Sequence, residues 1–188
     1  MENSLLRVPM ERNIFFAQQV NQESIVEITK KIISINDDDD FLIKQADFLG
    51  FHYKPKPIKM YIDSYGGSIY QCLGLISIME NSKIPIHTIC TGAAMSCGFM
   101  ILISGHKRFA YNYSTPLYHQ ASSATGGTLK EIEDDVKETK RLQKIIEKIT
   151  LEKTKISKEK LKEVYEKKID WFLTAEEALK LKVIDEII

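Results

Sequence analysis

The chain has 188 residues, with 26 basic and 26 acidic side chains, so its formal net charge is zero. That balance excludes the broad basic field that nucleic-acid binding needs, and it leaves little electrostatic repulsion against self-association. Hydrophobic residues at 44% and charged residues at 28% describe one ordinary globular domain with its own core. The cysteines Cys72, Cys90 and Cys97 are odd in number and form no CxxC. They suggest neither a disulfide framework nor a zinc site, and a reducing cytoplasm fits them best. Met1–Met10 has no basic segment followed by a long apolar one, so no signal peptide is expected. No apolar run approaches the roughly 18 residues of a membrane span.

Asn13–Phe16 reads as a first strand, and Ser24 as the cap of a helix through about residue 33. Asp37–Asp40 is expected to be a solvated acidic loop, followed by a second short helix over 41–51 and an extended connector, Tyr53–Pro57. Ile58–Ile62 alternates as a strand, 63–68 turns sharply, and Ile69–Glu80 has an apolar helical face. Ile84–Ile89 is the next strand. Residues 106–111 and 116–120 flank a polar turn and read as a hairpin, and Ser122–Gly127 is a flexible Gly/Ser/Thr segment. Thr128 and Glu131 have capping-box spacing ahead of a helix to about Lys153, longer than a small domain's core requires. Ser157 caps a further helix to about Lys167, and Thr174 with Glu177 forms another box. Strands alternating with helices make the class α/β with right-handed crossovers.

One run stands apart. Gly92-Ala-Ala-Met-Ser-Cys-Gly98 carries a single hydroxyl, Ser96, at the junction of a strand and an apolar segment. Ser96-Cys97-Gly98 fits half of the nucleophile-elbow pattern, while Ala94 stands where its first glycine would be. Gly66-Gly67 also follows a strand and opens a helix, leaving backbone N–H groups unpaired. With the N–H of Cys97, such a turn can hold an oxyanion. Of the four histidines, His119 at a strand end is the best placed general base. Asp170, beside the apolar pair Trp171-Phe172 that would partly bury it, is the best carboxylate to orient an imidazole, with Asp63 second. Cys97, next to Ser96, is the less fitting nucleophile, because only one side chain of an elbow faces the cleft.

These residues resemble the Clp protease proteolytic subunit (ClpP) family. Tyr61-Ile-Asp-Ser-Tyr-Gly-Gly67 is similar to its Tyr-Ile-Asn-Ser-Pro-Gly-Gly, and Gly92–Gly98 to its Gly-Gln-Ala-Ala-Ser-Met-Gly. Leu117-Tyr-His-Gln120 matches its Met-Ile-His-Gln, and Asp170–Ala178 its Asp-x-Phe-x-Ser/Thr-Ala-x-Glu-Ala. Val183-Ile-Asp185 resembles its closing Gly-Leu/Val-Ile/Val-Asp. The resemblance covers about residues 12–188.

It implies the ClpP/crotonase-like fold: a repeated β-β-α superhelix in one domain over 1–188. The head would be about 12–118 and 168–188, and the handle, a long helix plus a short strand, about 119–167. It implies a serine endopeptidase with Ser96 as nucleophile, His119 as base and then acid, and Asp170 as orienting carboxylate. The N–H groups of Gly67 and Cys97 would hold the oxyanion, and Gly66, Ser68, Gln120 and Ala121 would border extended substrate. No metal or other cofactor is implied. The implied partners are further copies in a heptameric ring or double ring, unfolded polypeptide, and a hexameric AAA+ unfoldase; no nucleic acid and no membrane are expected.

Four departures from the family qualify these expectations. Only about a dozen residues precede Asn13, so the axial hairpin that helps dock an unfoldase is expected to be abbreviated. Residues 36–56 are longer than the family's connector. Ile169 replaces an arginine that pairs across the two rings, and Tyr65 replaces a proline that stiffens the turn before Gly66. Three other readings stay open: an acyl-CoA enzyme on the same fold, a silent scaffold subunit of a mixed ring, and a stand-alone processing protease of one partner.

Overall fold

A computed structural model describes residues 11–188. Met1–Met10, and with it the expectations of no leader and an abbreviated hairpin, lies outside the described residues.

The core is a mainly parallel sheet, built around strand β3 (Ile86–Met95). β1 (Asn13–Phe16) pairs with β2 (Ile58–Ser64), and β2 with β3, all parallel. On its other edge β3 serves two partners in succession. Residues 87–90 pair with β4 (Lys107–Ala110), and residues 93–95 with β5 (Thr115–Tyr118), both parallel. β4 carries the terminal β7 (Glu186–Ile187), and β5 carries the antiparallel β6 (Trp171–Phe172). The sequence reading of 106–120 as a hairpin is therefore wrong. Asn112–Ser114 passes the chain from one stretch of β3 to the next, and both arms run the same way. Apolar side chains of β2 alternate inward, with Ile58, Met60 and Ile62 wholly buried.

Helices cover the sheet: α2 (Ile69–Glu80), α3 (Cys97–Ile103), α5 (Lys158–Lys167) and α6 (Ala175–Lys180). α2 buries Cys72, Leu75, Ile76 and Met79 on one face. The Thr128–Glu131 and Thr174–Glu177 capping boxes and the Ser157 cap all form.

Helix α1 corrects three expectations at once. It is a single helix, Gln22–Phe48, capped by Asn21 reciprocally with Ser24, and it runs straight through the acidic stretch. No loop divides it, because the four carboxylates face different surroundings. Asp39 is fully buried, where Arg12 binds both its oxygens and the Tyr53 hydroxyl donates to it at 2.9 Å. Asp40 instead pairs with Lys44 and Lys83 at the surface, which holds its carboxyl below the usual value.

The longest helix after it, α4 (Leu129–Lys153), buries only Leu142, Gln143, Ile146 and Thr150. Its first half leaves Leu129 and Val136 exposed. The strand expected in the handle does not form. Residues 119–128 contain no regular ladder, since among the described residues no strand pairs with them. β3 also extends past its expected end at Ile89 to Met95, because its last residues find partners on both sides.

Candidate active site

Ser96 stands where β3 ends and α3 begins. Its backbone has φ 54° and ψ −118°, a conformation that ordinary residues rarely hold. The strain is fixed from two sides: the Ser96 N–H donates to Leu117 O of β5 at 3.0 Å, and Ser96 O accepts from the Met100 N–H at 3.2 Å. The Ser96 side chain makes no capping hydrogen bond to the helix it precedes.

The Gly66-Gly67 turn packs against this corner. Gly66 has φ 100°, and a Cβ there would sit 2.8 Å from Met95 O and from Ser96 Cβ. Only glycine permits both the angle and the approach. Gly67, at φ 147°, is pinned by its neighbours: Val20 N–H donates to Gly66 O, and Ser68 N–H to Val20 O, each at 2.8 Å. Ser64 Oγ steadies the turn from below, donating to Gln18 O at 2.6 Å and accepting from the Gly66 N–H. Among the described residues, neither the Gly67 nor the Cys97 N–H donates to a backbone carbonyl.

A cavity opens at this corner, lined by Gly67, Ile69, Ser96, Cys97, Met100, Tyr118, His119, Gln120, Ala121 and Ile146. Ser96 and His119 thus meet one space. Gly66 lies beneath it as support. Ser68 caps α2 and borders an adjoining cavity toward α4, shared with Gly67, Ile69, Tyr70 and Ser122. Gln120 and Ala121 border the first cavity, and Ala121 N–H is held by Gln143 Oε1 at 2.7 Å. Ile69, Met100, Tyr118 and Ile146 were not named as site residues from sequence. Their signal, apolar periodicity, is the same signal that marks core. Tyr118 is buried, and that burial pushes its phenol up from the ordinary value.

Asp170 is placed differently from the expectation. It is exposed, because the indole of Trp171 turns to the Lys160 ammonium at 4.8 Å and Phe172 is itself 56% exposed. It does not line the cavity. Its register is informative nonetheless: Tyr118 pairs with Trp171 at the end of the antiparallel β5–β6 ladder, and His119 and Asp170 are the residues that follow and precede that pair. Among the described residues no hydrogen bond joins Ser96 to His119 or His119 to Asp170. Asp63 is committed elsewhere. Its carboxylate accepts from the Ala93 N–H at 2.8 Å, where the β2–β3 register shifts.

Cys97 faces inward. Its thiol donates to Gly67 O at 3.2 Å, and the Cys72 thiol donates to Cys97 O at 3.4 Å. Contact with the Cys72 thiol lowers the Cys97 thiol from its ordinary value in spite of burial, while that same contact and burial raise Cys72. Among the described residues, no three His, Cys, Asp or Glu side chains gather as metal ligands would. No described helix is long and apolar enough to cross a membrane.

The Clp protease family model matches residues 2–188. The chain belongs to the Clp protease family. Clp relatives bear the match out along most of its length. The "ATP-dependent Clp protease proteolytic subunit" of Deinococcus radiodurans is 34% identical over 149 residues, 78% of this chain and 72% of that protein. The "ATP-dependent Clp protease proteolytic subunit 1" of Borreliella burgdorferi is 33% identical over 184 residues, 97% of this chain and 87% of its own. The Borreliella afzelii subunit is also 33% identical over 184 residues, with 85% of its length covered. The chain is thus a ClpP-type peptidase, and its parallel sheet with covering helices is the α/β fold of that family.

Proposed function

We infer that the chain is a serine endopeptidase subunit cutting unfolded polypeptide inside a chamber built from its own copies. Ser96 Oγ attacks the peptide carbonyl, and His119 takes its proton and passes it to the leaving amine. The acyl-enzyme is then hydrolysed by water that His119 activates. Asp170 orients the imidazole, and the N–H groups of Gly67 and Cys97 hold the oxyanion. Extended substrate lies between the Gly67–Ser68 edge and Gln120–Ala121, adding as a strand beside them. The apolar side chains of Ile69, Met100 and Ile146 receive the side chain before the cut bond.

The observation carrying this reading is the positive φ of Ser96, beside His119 in one cavity, where among the described residues the Gly67 and Cys97 N–H groups donate to no backbone carbonyl. The acyl-CoA alternative needs the paired N–H groups but no strained serine. Assembly is supported by the exposed first half of α4 and by the 119–128 segment, which joins no ladder among the described residues, surfaces that a second copy can cover. It also gives Asp170 a setting in which to close on His119. The relatives' names, "ATP-dependent" and "subunit", support an energy-driven partner and a larger assembly; Ile169, where the family has an inter-ring arginine, packs against the core instead.

The test is labelling by a fluorophosphonate together with hydrolysis of fluorogenic peptides, read beside native mass spectrometry. Wild type should label and turn over as an oligomer, and Ser96→Ala should do neither. Labelling that survives in Ser96→Ala and vanishes in Cys97→Ala overturns the nucleophile. A correctly assembled oligomer with no turnover favours the scaffold reading.

A further inference from the structure

Two buried thiols meet directly behind the nucleophile. Cys72 sits in the first turn of α2 and is 1% exposed; Cys97 is the first residue of α3 and is 3% exposed. The Cys72 thiol reaches Cys97 O at 3.4 Å and faces the Cys97 thiol. Cys97 in turn lines the cavity that holds Ser96, which gives a small solute a route to it. Its own donation to Gly67 O ties together the two residues, Cys97 and Gly67, whose N–H groups are assigned to the oxyanion. Cys97 therefore joins three things: a neighbouring thiol, an entry path, and the link between the two halves of the oxyanion corner.

We propose that Cys97 and Cys72 are a modification site for peroxides, oxidised reversibly to an intramolecular disulfide that switches off the Ser96 corner. In the first step the Cys97 thiolate attacks a peroxide oxygen. The S–O bond forms, the O–O bond breaks, and hydroxide or alkoxide leaves, giving a sulfenic acid. In the second step the Cys72 sulfur attacks the Cys97 sulfur. The S–S bond forms, the S–O bond breaks, and the departing hydroxide takes the Cys72 proton as water. In sum, two thiols and one hydrogen peroxide give one disulfide and two waters.

The environment assigns the roles: Cys97 is the thiol whose ionisation is favoured, and Cys72 stays protonated until it resolves the intermediate. Cys90 is a bystander, with burial pushing its thiol up to about 11. Turning the Cys97 sulfur onto Cys72 removes its bond to Gly67 O and shifts both oxyanion peptides. Losing even one oxyanion donor lowers turnover by about a hundredfold or more. A fall of at least about tenfold is therefore expected from displacing the pair.

The inference about activity rests on the peptidase reading; the chemistry of the thiols does not. The assembled full chain is treated with hydrogen peroxide, then analysed intact and after digestion, with and without dithiothreitol. Peptide turnover and fluorophosphonate labelling are followed in parallel. The expected result is loss of two hydrogen masses, a Cys72–Cys97 linked peptide, and a drop in turnover and labelling that dithiothreitol reverses. Cys90→Ser should behave as wild type. Cys72→Ser and Cys72→Ala should retain basal turnover but form no such link and show no reversible loss. No linked peptide at peroxide levels that oxidise free methionine added to the sample overturns the proposal, as does a reversible loss that persists in Cys72→Ser. A linked peptide in a protein without turnover when reduced would refute the peptidase reading alone.

Discussion

Gly66→Ala is the sharpest test of how the corner is built. The added Cβ would lie 2.8 Å from Met95 O and from Ser96 Cβ and 3.0 Å from Cys97 N, at a backbone φ of 100°. Backbone strain at such an angle costs about 1–3 kcal/mol. Relieving the overlap by moving the turn costs about 1–2 kcal/mol more. The sum, roughly 2–5 kcal/mol, corresponds to a Tm lower by about 4–20 °C for a chain of this size. The displaced atoms include the Cys97 N–H, so turnover should fall further than stability alone explains, by about a hundredfold. Gly74→Ala is the matched control. It lies exposed in α2 with nothing near its would-be Cβ, and should gain about 0.5–1 kcal/mol. Thermal melts at one fixed protein concentration, with peptide hydrolysis well below Tm, read both effects. If Gly66→Ala melts and turns over like wild type, the turn does not press on the nucleophile and the oxyanion argument fails with it.

Asp39→Asn should destabilise by about 2–4 kcal/mol in urea titrations, since it leaves the Arg12 guanidinium without its buried counter-charge. Asp185 should contribute to acid sensitivity. Burial alone would raise its carboxyl, but hydrogen bonds and charge from Arg108 outweigh that and hold it below the usual value. A carboxyl lowered on folding adds stability at pH values above its unfolded value, and that stability is lost as pH falls through the lowered value. Melting across pH 2–6 should therefore show a smaller acid-induced drop in Arg108→Ala than in wild type. Ile146→Trp should fill the cavity beside Ser96 and raise KM or lower kcat/KM for peptides, while a small fluorophosphonate still labels Ser96. Alkylation by iodoacetamide at pH 8, followed by peptide mapping, should modify Cys97 before Cys90, whose thiol is pushed up to about 11.

Features written in local chemistry were legible in the sequence. Ile69–Glu80, the Thr128 and Thr174 boxes and the Ser157 cap each depend on residues within one turn of each other, and each forms as read. The Ser96 corner was legible too, since glycines and a lone hydroxyl are local signs. What escaped depends on partners far along the chain. Asp37–Asp40 reads as a loop when only its own charges are counted. Arg12, 27 residues before Asp39, and Tyr53, 14 after it, make the stretch helical. The two arms around Asn112–Ser114 look like a hairpin until β3 proves long enough to pair with both. His119 and Asp170 could be proposed from motif, but that they flank the ends of one antiparallel ladder comes from the β5–β6 register, which only the folded chain supplies. Asp170 was expected to be partly buried by Trp171, whose ring is turned to Lys160 instead.

The handover of β3 from β4 to β5 has a mechanical side. The strand that ends in Ser96 is gripped along nearly its whole length, by β2 on one edge and by two successive strands on the other. In parallel ladders of this kind, tension along the strand loads many hydrogen bonds in shear at once, whereas a hairpin would peel open one bond at a time. A polypeptide dragged across the corner therefore pulls against the entire sheet. Ser96, at the end of that strand, keeps its position under traction.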